Sequence, residues 1–149
     1  MPILPALVFC LILAGAAFSD VLTYRIPNIF PAVLALAGLL LATPQGWQGW
    51  GGRGLSVALI ALLTLMIYVR KALGGGDVKL LIAAAVWMPA ASLPHFLMPL
   101  ALIGGLQALA TLGFRLAAPG AAPPAPGRMP YGLTIALAGV AWVLTRGPS

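Results

Sequence analysis

The chain is predicted to be an all-α, polytopic membrane protein of about six transmembrane helices, folded as a single domain over residues 1–149. Three observations lead there. Hydrophobic residues make up 62% of the sequence and charged residues 7%, against about 25% charged in a soluble domain. The apolar residues fall in long Leu/Ala/Val runs without apolar–polar alternation, the pattern of helices rather than barrel strands. Hydrocarbon offers no partner to a free backbone group, so each run must close its own hydrogen bonds as a helix.

The first run covers residues 3–18. Its Ala14-Gly15-Ala16 resembles a small-residue cleavage site, but no positively charged segment precedes it, so a retained helix is expected rather than a signal peptide. A polar hinge follows from Asp20 to Asn28, with Pro27 suited to the first turn of a new helix. The second run spans residues 29–42, and residues 43–54 read as a Gly/Trp/Gln loop whose Trp47 and Trp50 fit a membrane interface. The third run, 55–69, ends in Arg70-Lys71. After the triglycine Gly74-Gly75-Gly76 comes a fourth run, 78–88, short beside the roughly 20 apolar residues a full span needs. Pro89 and Pro94 bracket its exit. The fifth run covers 96–114, where Gly104-Gly105 lets a neighbouring helix approach. Residues 117–130 form a Pro/Ala/Gly-rich linker, and the sixth run covers 131–144.

The net charge of +6 would suggest nucleic acid in a soluble protein. Here the basic residues sit in the breaks between apolar runs, so they report orientation in a lipid bilayer and no nucleic-acid partner is expected. Arg25, Arg70, Lys71, Lys79, Arg115 and Arg128 follow the odd-numbered runs; only Arg53 and Arg146 fall on the other side. That asymmetry places the odd-numbered loops in the cytoplasm and both termini outside. The lone Cys10 excludes an intrachain disulfide or a Cys-based zinc site. His95, the single histidine, has no ligand partners, so neither metal nor other cofactor is expected.

The chain holds only two acids, Asp20 and Asp77, and the charge asymmetry puts both on the cytoplasmic face. Singly, each has an ordinary explanation: Asp20 pairing with Arg25, Asp77 capping the next helix. Together they point to function, because acids at membrane depth are costly and rarely kept without use. Two carboxylates sharing a site hydrolyse an amide without metal or covalent intermediate. One, ionised, takes a proton from water while the other, protonated, donates to the scissile carbonyl, since close like charges resist ionising together. Helix dipoles favour an anion at a helix N-terminus and disfavour one at a C-terminus, so Asp77 is expected to be the ionised base and Asp20 the proton carrier. The three glycines suggest a backbone free to take positive φ and to receive an extended peptide on exposed amides.

Gly74-Gly75-Gly76-Asp77-Val78-Lys79-Leu80 resembles the Gly-x-Gly-Asp signature of the type IV prepilin peptidase family. Asp20 with the trailing Arg25-Ile26-Pro27-Asn28 is similar to the family's first catalytic aspartate and its Ile-Pro-Asn element. Met129-Pro130-Tyr131-Gly132 is similar to the Pro-Tyr-Gly stretch that opens its last helix. The resemblance implies a membrane aspartyl endopeptidase that removes the leader of prepilins or pseudopilins at the cytoplasmic face of a bacterial inner membrane, alongside pilus assembly machinery. It assigns catalysis to Asp20 and Asp77. Supporting roles fall to Gly74, Gly75, Gly76, Lys79, Arg25, Pro27, Asn28, Pro130, Tyr131 and Gly132. Larger members carry a cytoplasmic loop with paired Cys-x-x-Cys motifs and also N-methylate the new terminus. This chain lacks that loop, so methyltransferase activity is not expected, and the compact form is similar to peptidases of Flp-type, tight-adherence pili, ahead of an archaeal-type preflagellin peptidase.

Two other readings compete. A proton-coupled transporter or channel subunit would need polar residues along several helices, which the second and third runs almost lack. A non-catalytic subunit of a secretion or pilus machine would use the acids only for capping and pairing.

Overall fold

The computed structural model describes residues 2–44, 46–70, 73–117 and 131–146. Within them lie six α-helices, α1 (Ile3–Thr23), α2 (Ile29–Leu41), α3 (Gly46–Val69), α4 (Gly75–Ala85), α5 (Leu93–Ala117) and α6 (Tyr131–Arg146), with a 3-10 turn, Ala90–Ser92, before α5. No strand occurs among the described residues. Pro130 and the linker residues 118–130 lie outside them, as do Lys71 and Ala72.

Three segments are long and apolar enough to cross a bilayer: Ile3–Thr23, Gly46–Val69 and Ala90–Gly113. The protein is therefore a helical membrane protein, but six full spans are not what the helix lengths give. At about 1.5 Å per residue, the 13 residues of α2 and the 11 of α4 fall well short of a hydrocarbon core of about 30 Å. Helix α4 stops early because Pro89 follows. The residue before a proline is disfavoured in helical conformation, so the backbone tightens into i→i+3 bonds from Val86, Trp87 and Met88 and leaves the helix.

The expected loop at 43–54 is instead mostly helix. Helix α3 begins at Gly46 and runs through Trp47, Trp50 and Arg53. Tertiary contacts override the weak helix preference of its glycines. Arg53 is buried, its guanidinium 5.4 Å from the Trp50 ring and donating to the Gly38 carbonyl at 3.4 Å. A basic residue counted as a free loop charge is thus drawn onto the C-terminal end of α2, where carbonyls welcome a cation.

Helices α4 and α6 form the centre. Helix α6 packs on α1, α5 and α4, while α4 packs on α2 and α3. Phe9 of α1 anchors the core, with ring centroids 5.1 Å from Trp87 and 5.5 Å from Trp142. Small residues bring the helices this close: Ala83, Ala84 and Ala85 are buried, and a side chain at Gly139 would collide with Leu13 and Phe9. Trp87 satisfies its indole N–H on the Leu34 carbonyl at 2.8 Å. Of the Gly104-Gly105 pair, only Gly104 faces a neighbour, Thr134 of α6; Gly105 faces open space.

Candidate active site

Asp20 lies one turn inside α1, because the helix runs on to Thr23. Tyr24, at φ +52°, ends it, donating its N–H to the Asp20 carbonyl at 2.8 Å. The hinge is fastened by Thr23 and Ser19, whose hydroxyls both donate to the Arg25 carbonyl. Pro27 precedes α2 rather than sitting in its first turn, since Asn28 is the N-cap. The Asn28 side chain does not cap that helix. It accepts from Lys79 Nζ at 2.9 Å, tying the hinge to α4.

Asp77 occupies the third position of α4, where a carboxylate reaches back to the N-cap. The Gly74 N–H donates to Asp77 Oδ2 at 3.2 Å. The glycines before it do not take positive φ; Gly74 is extended (φ −74°, ψ 150°) and Gly75 and Gly76 are already helical. Their smallness is used for approach. A Cβ on Gly74 would sit 2.8 Å from Asp77 Oδ2, and one on Gly76 3.1 Å from Ile26 Cβ. The first amide of the loop is therefore spent on Asp77 and is not free for a peptide.

Both carboxyl-bearing residues are buried, Asp20 5% and Asp77 8% exposed. What joins them is α6, which touches both α1 and α4. At its start the Gly132 N–H donates to Asp20 Oδ2 at 2.8 Å. A Cβ on Gly132 would lie 2.9 Å from that same oxygen, so only glycine admits the carboxylate here. Gly132 was legible in the sequence as a motif residue, but its amide contact across 112 positions had no local signal. Tyr131 lies beside it at the first turn of α6. Arg25 is exposed at the hinge.

Helix dipoles consequently do not separate the two acids. Asp77 faces the N-terminus of its own helix, and Asp20, although near the end of α1, faces the N-terminus of α6. Asp77 belongs to a helix too short to cross the bilayer. Burial first, and then the negative charge of Asp20, push its carboxyl up to about 7, opposed by the Gly74 amide. Its place at a helix N-terminus therefore does not by itself make Asp77 the more acidic of the two. The pair is close enough for one charge to be felt at the other.

No group of three or more His, Cys, Asp or Glu side chains suited to a metal occurs among the described residues; His95 is exposed on α5.

No curated protein and no solved structure gives a significant match to the chain. The model of the type IV leader peptidase family matches residues 7–109, which include the hinge, the triglycine and both aspartates. With more than half of its length matched, the chain belongs to the type IV leader peptidase family, a family that points to an aspartic-type peptidase.

Proposed function

We propose that the protein is a membrane-embedded aspartyl endopeptidase that cleaves the leader from Flp-type prepilins or pseudopilins at the cytoplasmic face, with Asp20 and Asp77 as its catalytic pair and without methyltransferase activity. The observation that carries this reading is the convergence of the chain's only two acids. They come from α1 and α4 and are buried at one end of the bundle, each accepting a backbone amide.

The chemistry follows from that arrangement. Asp20, held by the Gly132 amide, removes a proton from a water as its oxygen attacks the scissile carbonyl carbon. Asp77, carrying its proton, donates to the carbonyl oxygen, which becomes a hydroxyl. Collapse of the tetrahedral adduct breaks the C–N bond, the leaving amine takes the proton held by Asp20, and the hydroxyl proton returns to Asp77. Lys79 and Asn28 keep the hinge against α4, and the glycines keep room for the carboxylates.

The cytoplasmic placement is supported by exposed Arg25, Arg70 and Lys79 at the aspartate end, while Arg53 at the other end is buried. Co-expression with an Flp-type prepilin tests the function. Leader removal is expected with the wild type and is lost in Asp20→Asn and in Asp77→Asn, with each variant still inserted in the membrane. Cleavage that persists in both variants rules the reading out, and a transporter or structural subunit becomes the better account.

A further inference from the structure

Arg53, 7% exposed, is a buried cation that the proposed mechanism does not use. It belongs to α3, one of the helices long enough to cross the bilayer, at the end opposite the aspartates. Its charge is only partly compensated. One N–H of Nη1 donates to the Gly38 carbonyl at 3.4 Å, a long bond, and the guanidinium lies 5.4 Å from the Trp50 ring. Nε and Nη2 have no hydrogen-bond partner among the described residues. The C-terminus of α2 presents about half an elementary negative charge against a whole positive one. No carboxylate of this chain supplies the rest, since Asp20 and Asp77 are its only acids and both stand at the other end. A buried charge left without a counter-charge is costly.

The unpaired nitrogens are not sealed from the surroundings, so an anion from outside the chain can reach them. One turn further along the same buried stripe of α3, Ser56 Oγ is also without a hydrogen-bond partner. Acceptors are therefore short along this stripe and not at Arg53 alone.

The depth of the guanidinium indicates which anion it meets. Side chains of a helix lean toward its N-terminus, which carries Arg53 back over Trp50 and toward the membrane surface. Trp47 and Trp50 are exposed at that end, in the manner of side chains at headgroup level. A guanidinium fork there matches the oxygens of a lipid phosphate. The lack of acids also selects the headgroup. A choline or ethanolamine ammonium would find no carboxylate at this end and would add a second positive charge beside Arg53. A glycerol headgroup adds none.

We propose that Arg53 is a binding site for the phosphate of an anionic phospholipid of the phosphatidylglycerol class, in the leaflet opposite the aspartates. The lipid completes the charge balance where α3 meets the end of α2, whether or not the protein is a peptidase.

The test uses the full-length protein purified in a mild detergent, with dioleoyl phosphatidylglycerol, dioleoyl phosphatidylcholine or sodium phosphate added in turn. Native mass spectrometry counts the lipid retained by each chain, and thermal unfolding reads the stabilisation. Wild type is expected to retain phosphatidylglycerol several-fold more than phosphatidylcholine and to unfold at a higher temperature with it, while sodium phosphate leaves unfolding unchanged. Arg53→Gln loses that preference, and Arg53→Lys, a point charge without the fork, keeps part of it. Arg70→Gln, at an exposed arginine of the aspartate end, keeps all of it. Equal retention of the two lipids by wild type, equal stabilisation by sodium phosphate, undiminished preference in Arg53→Gln, or the same loss in Arg70→Gln overturns the proposal. Should Arg53→Gln not fold, the wild-type comparison and Arg53→Lys decide it, and an undiminished preference in Arg53→Lys counts against the site.

Discussion

At the scale of single residues, the site depends on two amides and the absence of two β-carbons. Gly132→Ala places a carbon 2.9 Å from the Asp20 carboxylate, forcing the side chain off the α6 amide. Near-complete loss of leader cleavage is expected, with far less effect on thermal stability. Gly74→Ala threatens the Asp77 oxygen in the same way, with an expected partial loss, because a carboxylate end can rotate where a backbone cannot. Protonation gives a second expectation. In the proposed mechanism the proton on Asp77 goes to the scissile carbonyl, and burial together with Asp20 pushes that carboxyl up to about 7. Cleavage should decline as pH rises through that value, and should fall again in acid once Asp20, the base, takes up a proton, measured on prepilin in detergent or nanodiscs. Asp20→Asn removes one of the two causes of the upward shift. Site-resolved infrared or NMR titration of Asp77 in that variant should therefore show a lower value, still above an ordinary carboxyl because burial remains. An unchanged value would mean that the two acids are not electrostatically linked.

Among the elements, the short ones decide the geometry. Helix α4 is cut off by Pro89 and hung between α2 and α3, so its N-terminal acid is fixed by packing along its whole length. Gly38 of α2 is one fixing point. A Cβ there would lie 2.8 Å from the Trp87 indole nitrogen and 3.1 Å from Val86, displacing the Trp87–Leu34 hydrogen bond. Gly38→Ala should cost about 1–3 kcal/mol, the range for overpacking a fitted core, whereas Gly51→Ala, with nothing within 4 Å, should cost little; unfolding in detergent compares them. The Thr134–Gln107 bond between α6 and α5 is of the kind worth about 0.6 kcal/mol in membrane proteins. Thr134→Val should thus be barely visible in stability. Much of this element layer was legible beforehand: the apolar runs located six helices, and the shortness of the fourth was apparent from its prolines. The start of α3 was not, because Gly46 to Gly54 carries loop composition and becomes helical through contacts such as Arg53 with Gly38, which no local pattern encodes. Nor was the role of Gly132, since its partner lies on a different helix.

For the molecule as a whole, the sequence already pointed to the family, and the two acids stand at one end of one bundle as the charge pattern expected. Their relation to each other was hidden. A dipole reading based on each acid's own helix missed that α6 presents its N-terminus to Asp20. Orientation gives the prediction at this scale. With Cys10→Ala, a cysteine at exposed Thr23 should resist a membrane-impermeant thiol reagent in intact spheroplasts and react after lysis. One at Trp47, 90% exposed at the other end, should react at once. Reversed labelling would place the aspartates outside and exclude cleavage at the cytoplasmic face.

Because the only two carboxylate side chains in 149 residues meet in this one place, the protein supplies its own reporter. No other side-chain carboxylate contributes to its proton uptake. A bulk measurement such as a calorimetric or pH-stat titration of the purified protein, hopelessly crowded where carboxylates are many, would here report on Asp20 and Asp77 with no other side-chain carboxylate in the signal.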